Sequence, residues 1–108
     1  MSSSKLLENM RLELRRGCLT LAVLGQLRTE HYGYSLCKEL VGQGMEIDES
    51  TLYPLLRRLE TQGVLTSEWR EEEKRNRRFY RLTALGEDLF ARLIEEWNGI
   101  NQAIYKIL

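Results

Sequence analysis

The chain has 108 residues, with 16 basic and 16 acidic side chains, and is 43% hydrophobic and 30% charged. That length allows one domain with a modest core, and that composition belongs to a folded soluble protein, not a disordered one. No apolar run approaches the ~18–20 residues that cross a bilayer, and the start, MSSSKLLENMRLELRR, has charges where a signal peptide carries its apolar block, so a cytoplasmic chain with no membrane partner is expected.

The first helix is expected from the serines at 2–4, which can cap it, to about Arg28. Leu7, Met10, Leu14, Cys18, Leu21 and Leu24 recur along it at spacings of three and four. Gly17 interrupts the pattern: either the helix bends there, or close packing against another backbone wants a residue without a side chain. Glu30 to Gly33 reads as a break. A second helix follows over about 34–41, with Leu36 and Leu40 inward and Lys38 outward, and Gly42-Gln43-Gly44 ends it. Met45-Glu46-Ile47 suits a very short strand.

Asp48 is a good N-cap for a third helix, and Glu49 is well placed in its first turn. Leu52, Leu55, Leu56 and Leu59 form its apolar stripe, with Tyr53, Arg57 and Arg58 off it, and Gly63 closes it. Pro54 removes one early hydrogen bond unless the regular helix begins at Ser50 or Thr51. Residues 64–70 and 77–83 read as antiparallel strands joined by the polar EEEKRNR, whose best turn residue is Asn76. Alternation puts Arg77, Phe79 and Arg81 on one face of the second strand, and Arg78, Tyr80 and Leu82 on the other, core face. Trp69 is expected in the core. A last helix runs from Thr83, its cap, to the end. Its stripe of Leu85, Leu89, Leu93, Trp97, Ile100, Ile104 and Leu108 is too long for so small a body to cover, and marks an interface, most simply with a second copy.

The zero net charge is unevenly spread. Residues 1–56 carry 6 basic and 7 acidic groups, 57–81 carry 8 and 5, and 82–108 carry 2 and 4. The positive excess lies in the third helix and the hairpin. A local basic patch is what phosphate contact requires, and a basic helix beside a basic hairpin is how a winged helix-turn-helix grips duplex DNA. Catalytic spacing is missing: there is no Gly-rich phosphate loop, nucleophile elbow or HExxH, so an enzyme is not expected. Cys18 and Cys37 lack CxxC spacing and read as buried free thiols. His31 stands alone and reads as structural or exposed, so neither a metal site nor a cofactor is expected.

The string YxxLxxLxxxGxL from Tyr53 to Leu65, then Trp69, then RRFYRLTALG over 77–86, together with Tyr32-Gly33-Tyr34, resembles the PadR family of bacterial transcriptional regulators. The resemblance covers nearly the whole chain and its length suits the smaller members. It implies a mainly α fold with a small β-wing: a winged helix-turn-helix over 1–83 and a C-terminal dimerisation helix over 84–108. It also implies a homodimeric repressor of its own promoter or of stress, detoxification or efflux genes, in which the tail helix pairs with the partner's first helix. The wing tip departs from the family, with Glu71-Glu72-Glu73-Lys74-Arg75-Asn76 where members often carry Gly or Pro.

The candidate DNA contacts are Ser50, Thr51, Tyr53 and Arg57 on the third helix, Lys38 on the second, and Lys74, Arg75 and Arg77 on the wing. Hydroxyls at a helix start can donate to phosphate, although Ser50 and Thr51 equally suit local capping, Tyr53 packing, and Arg57 a surface ion pair. The candidate dimer interface is Leu7, Met10, Leu14, Leu89, Leu93, Trp97, Ile100 and Ile104. Trp97, facing its counterpart across the dimer axis, is the candidate for stacking on a small aromatic effector; ordinary interface packing is the competing reading. Two other functions fit the same pattern: a winged-helix protein-interaction module, and a small-molecule binding protein without a DNA target.

Overall fold

The computed structural model describes residues 2–108. Helices α1 (Ser3–Gln26), α2 (Gly33–Gly42), α3 (Glu49–Thr61) and α4 (Ala84–Ile107) surround a small sheet of β1 (His31–Tyr32), β2 (Leu65–Glu72) and β3 (Arg75–Leu82). The strands are antiparallel in the order β1-β3-β2. Four helices with a β-wing is the architecture the sequence implies.

Local chemistry sets the helix ends. The Ser2 hydroxyl accepts from the Lys5 amide at the start of α1, and the Asp48 carboxylate accepts from the Thr51 amide at the start of α3. Thr83 caps α4 by accepting from the Gly86 amide at 3.0 Å, while its hydroxyl donates to the Gly63 carbonyl at 2.6 Å. The cap therefore also pins α4 to the turn between α3 and β2. Gly86 is required by space: a Cβ there would lie 2.2 Å from the Val64 carbonyl oxygen.

Leu24, Leu27, Leu36, Leu40, Leu52, Leu56, Leu59, Leu65, Tyr80 and Leu82 make up most of the core. The inner stripes of α2 and α3 match their spacing, with Leu55 only partly buried. Pro54 lies inside α3, which nevertheless runs unbroken from Glu49.

Several expectations need correction. Residues 45–47 form no strand; the short strand is β1, in the segment expected as a break, and it pairs His31 with Tyr80 and Tyr32 with Phe79. The hairpin is longer and its turn tighter than expected. Asn76 lies in β3 opposite Glu71, and the turn is made by Glu73 and Lys74, both at positive φ (52° and 66°). That conformation suits a two-residue hairpin but costs a non-glycine residue about 1 kcal/mol. Phe79 is buried although it faces away from the helices, because Tyr32 and Arg70 cover it. Trp69, expected in the core, is 65% exposed. Cys18 and Cys37 are free and half-buried, Cys37 donating to the Ile47 carbonyl at 3.0 Å.

The protomer is elongated, 50 × 34 × 24 Å with a radius of gyration of 15.8 Å. A chain this long that packs compactly has a radius near ~13 Å. The excess comes from α1 and α4, whose free ends project with apolar side chains uncovered, among them Leu7, Met10, Leu14, Ile100, Ile104 and Leu108. Gly17 does not break α1, and a Cβ there would meet nothing within 4 Å, so no packing inside the protomer calls for glycine.

Candidate nucleic-acid interface

Helices α2 and α3 form the helix-turn-helix, and the β2–β3 hairpin stands beside α3 as the wing. Between α3 and the wing lies a cleft of about 400 Å³ lined by Tyr32, Gly33, Tyr53, Arg57, Trp69, Asn76, Arg77, Arg78 and Tyr80. Three of the candidate DNA residues, Tyr53, Arg57 and Arg77, thus meet around one depression.

Tyr53 is half-buried, its ring laid over Gly33 so closely that a Cβ on Gly33 would lie 2.4 Å from Tyr53 Cε1. The ring couples the start of α2 to the outer face of α3. Burial pushes the Tyr53 phenol pKa up, and the phenol O–H is a donor near neutral pH. Arg57 is exposed one turn further along and makes no ion pair among the described residues. Arg77 crosses the Tyr32 ring at 4.4 Å and reaches a Glu72 carboxylate oxygen at 4.0 Å.

A brace joins α3 to both wing strands. The Glu60 carboxylate accepts from the Ser67 hydroxyl at 2.5 Å and from Arg78 Nη2 at 2.8 Å, and Arg78 Nε donates to the Ser67 hydroxyl at 2.9 Å. Each partner comes from a different element: α3, β2 and β3. A second clasp lies on the opposite face of the sheet. Arg70 forms a bidentate pair with Glu30 at 2.5 Å, bonds Glu68, and covers the Phe79 ring at 4.6 Å. The hydrogen bonds from Arg70, foremost, hold the Glu30 carboxyl below its ordinary pKa.

The other candidates lie elsewhere. The Ser50 hydroxyl donates to Asp48 at 2.7 Å, and the Thr51 amide does so at 2.8 Å. Asp48 is thus the cap, and the Ser50 hydroxyl bonds to its carboxylate. The bonds from Ser50 and Thr51 lower the Asp48 pKa. Lys38 is exposed on α2, 5.8 Å from the Tyr34 ring and away from the cleft. Lys74 and Arg75 are exposed at the wing tip. Trp69, Asn76, Arg78, Tyr32, Gly33 and Tyr80 complete the cleft and were not among the candidate DNA contacts. The signal for the first three was their shared face of the hairpin, set by the pairs Trp69↔Arg78 and Glu71↔Asn76.

At the other end of the molecule Trp97, 38% exposed, borders an apolar cavity of about 390 Å³ between α1 and α4. Leu14, Gly17, Cys18 and Leu21 line one wall, and Leu93 and Ile100 the other. Of the candidate interface residues, Leu7, Met10, Leu14, Leu93, Ile100 and Ile104 are exposed, while Leu89 packs against the protomer's own core. Among the described residues no helix is long and apolar enough to cross a membrane.

The profile of the transcriptional regulator PadR-like family matches residues 20–92, a span that runs from mid-α1 through the wing into α4. The transcriptional regulator Rv3488 of Mycobacterium tuberculosis is 35% identical over 97 residues, covering 89% of this chain and 88% of that protein. The crystal structure of a PadR family transcriptional regulator from Eggerthella lenta is 41% identical, with a TM-score of 0.90 over 96% of this chain and 93% of that one. Bacillus subtilis PadR, solved in complex with operator DNA, is 28% identical, with a TM-score of 0.64 over 70% of this chain and 46% of that one.

Proposed function

The chain belongs to the PadR-like family of transcriptional regulators, and from that premise we propose that it is a homodimeric repressor that binds operator DNA through α3 and the wing. The observation that carries the reading is the single cleft uniting Tyr53, Arg57 and Arg77. A duplex presenting its major groove to α3 brings its backbone past that cleft, where an unpaired guanidinium and a protonated phenol can donate to phosphate. That the Bacillus subtilis relative was solved in complex with operator DNA supports DNA as the partner. Ser50, Thr51 and Lys38 flank the same helix pair, and Lys74 and Arg75 reach outward from the wing.

The uncovered apolar faces support the dimer. Leu7, Met10 and Leu14 on α1, with Leu93, Trp97, Ile100 and Ile104 on α4, leave apolar surface that water disfavours, and a second copy offers a complementary one. Residues 1–83 then act as the reading head and 84–108 as the dimerisation helix. The cavity beside Trp97 would receive a planar aromatic effector in this arrangement. Such a molecule changes operator affinity only if it binds unequally to dimers whose reading heads are differently spaced.

Selection of bound duplexes from a random pool tests the reading. A two-fold symmetric site with half-sites ~34 Å apart is expected, with affinity falling steeply as salt rises. Failure to enrich any duplex, or recovery of a monomer that binds one, overturns it. Titrating planar aromatic compounds while measuring operator affinity tests the effector, and the same affinity with every compound removes it.

A further inference from the structure

One apolar side chain on the reading head has no structural task inside the protomer. Trp69 stands on β2 with 65% of its surface in solvent, and its indole N–H has no partner among the described residues. A tryptophan offers more contact area than any other side chain, and a stable fold gains nothing by leaving it in water. Its placement is fixed rather than loose. Trp69 pairs with Arg78 across the hairpin, and the Arg78 guanidinium lies 5.7 Å from the indole ring. Glu60 and Ser67 in turn anchor that guanidinium. The brace therefore holds a shelf under the indole.

The ring borders the cleft between α3 and the wing, whose lining comes from β1, α2, α3, β2 and β3 and includes no residue of α1 or α4. The apolar stripe of the dimer does not reach it. No acid lines the cleft, and the carboxylates that pair with its arginines, Glu60 with Arg78 and Glu72 with Arg77, are already engaged. Arg57 remains without an ion pair. Glu71 lies one rung nearer the tip on the face that carries Trp69. An anionic strand is thereby confined to the helix side of the indole, between Trp69 and Arg57.

We propose that Trp69 is a DNA-backbone contact. Its ring covers a deoxyribose of the strand that passes between α3 and the wing, and its Nε1–H donates to an adjoining phosphate. A flat ring with one donor at its edge matches a sugar flanked by a phosphate, and the contact is independent of base identity. Trp69 would fix the register of the wing on the backbone, while the exposed end of α3 reads sequence.

The inference rests on the DNA-binding reading, and the experiment separates the two. The probe is the duplex that the wild-type protein enriches from a random pool. The chain has two tryptophans, so its indole N–H groups give two resolved cross-peaks in ¹H–¹⁵N spectra, assigned by the one missing in Trp69→Phe. Adding the duplex should move the Trp69 cross-peak and slow its exchange with water. Trp69→Ala should weaken binding about tenfold, in the range of a single well-placed contact, at an unchanged melting temperature. Trp69→Phe, which keeps the ring face but loses the donor, should lie between. If the wild type enriches a duplex but the Trp69 cross-peak stays in place, or Trp69→Ala binds as tightly as wild type, the inference falls and the DNA reading stands; a different occupant, such as a protein partner, would give that result. If no duplex is enriched, the DNA reading falls and takes this one with it.

Discussion

The brace between Glu60, Ser67 and Arg78 sets the angle between the recognition helix and the wing, so breaking it should be felt in stability and in DNA binding together. Glu60 receives two hydrogen bonds, from Ser67 at 2.5 Å and from Arg78 at 2.8 Å, and its side chain is 26% exposed against 36% for Arg78. Hydrogen bonds to a charged group are worth ~1.5–3 kcal/mol when buried, and exposed ion pairs ~0.2–1 kcal/mol. With solvent reaching both partners, the coupling between Glu60 and Arg78 should be about 1 kcal/mol. Urea unfolding of Glu60→Ala, Arg78→Met and the double variant, at one protein concentration, measures it as the non-additive part. Each single variant should melt several degrees lower, since 1 kcal/mol corresponds to ~4–8 °C in a domain of this size. Operator affinity should fall in both single variants, although Glu60→Ala removes a negative charge from the side proposed to face DNA. That sign is the discriminating one: electrostatics alone would make Glu60→Ala bind more tightly. Additive stabilities, or tighter binding by Glu60→Ala, would refute the role given to the brace.

Gly33→Ala places a methyl group 2.4 Å from the Tyr53 ring, so it should destabilise by ~1–3 kcal/mol through overpacking and weaken operator binding. Adding Tyr53→Ala should restore the stability but not the binding, as read by thermal melting and by titration with the selected duplex. The Asp48 and Glu30 carboxyls are held below their ordinary values by hydrogen bonds from Ser50 and Thr51 and from Arg70 respectively. The stability they contribute is therefore complete above the ordinary values of 3.8 and 4.5 and is lost as pH falls through and below them. Urea midpoints from pH 6 down to pH 3, on the order of the carboxylate range, should fall less in Asp48→Asn with Glu30→Gln than in wild type. Among the proposed DNA contacts the cations without an ion pair are Arg57, Lys38, Lys74 and Arg75, so a dimer should show a log–log salt slope of about −7, against about −14 if all eight basic residues of 57–81 touched phosphate.

The helices were legible because each has an apolar stripe, and because Ser2, Asp48 and Thr83 cap them as their side chains allow. The wing was harder. A two-residue periodicity assigns side chains to faces but does not say how far the sheet extends past the helices beneath it. Leu65, Tyr80 and Leu82 lie over the core and are buried; the next rung out, Trp69 with Arg78, has passed its edge. The same blindness hid Phe79, whose outward face is roofed by Tyr32 from a strand of two residues, too short to leave any pattern. The tight turn at Glu73 and Lys74 was illegible for a different reason, since neither residue favours positive φ and only the pairing of Glu72 with Arg75 forces it.

Charge counting misleads at this surface in an instructive way. The excess of basic residues over 57–81 suggests a broad cationic patch, yet Arg70, Arg77 and Arg78 are each engaged by a carboxylate: Glu30 and Glu68, Glu72, and Glu60. Of the acids over 57–81, Glu60, Glu68 and Glu72 are, with Glu30, the counterions of those arginines, which lie over Phe79, Tyr32 and Tyr80. Charge spent this way fixes geometry more than it supplies long-range attraction. A reading head built so should associate with DNA without strong electrostatic steering and owe its discrimination to shape: the fixed gap between α3 and the wing, the phenol of Tyr53 held at one wall of it, and Arg57 left free to meet a phosphate only when the duplex is already seated.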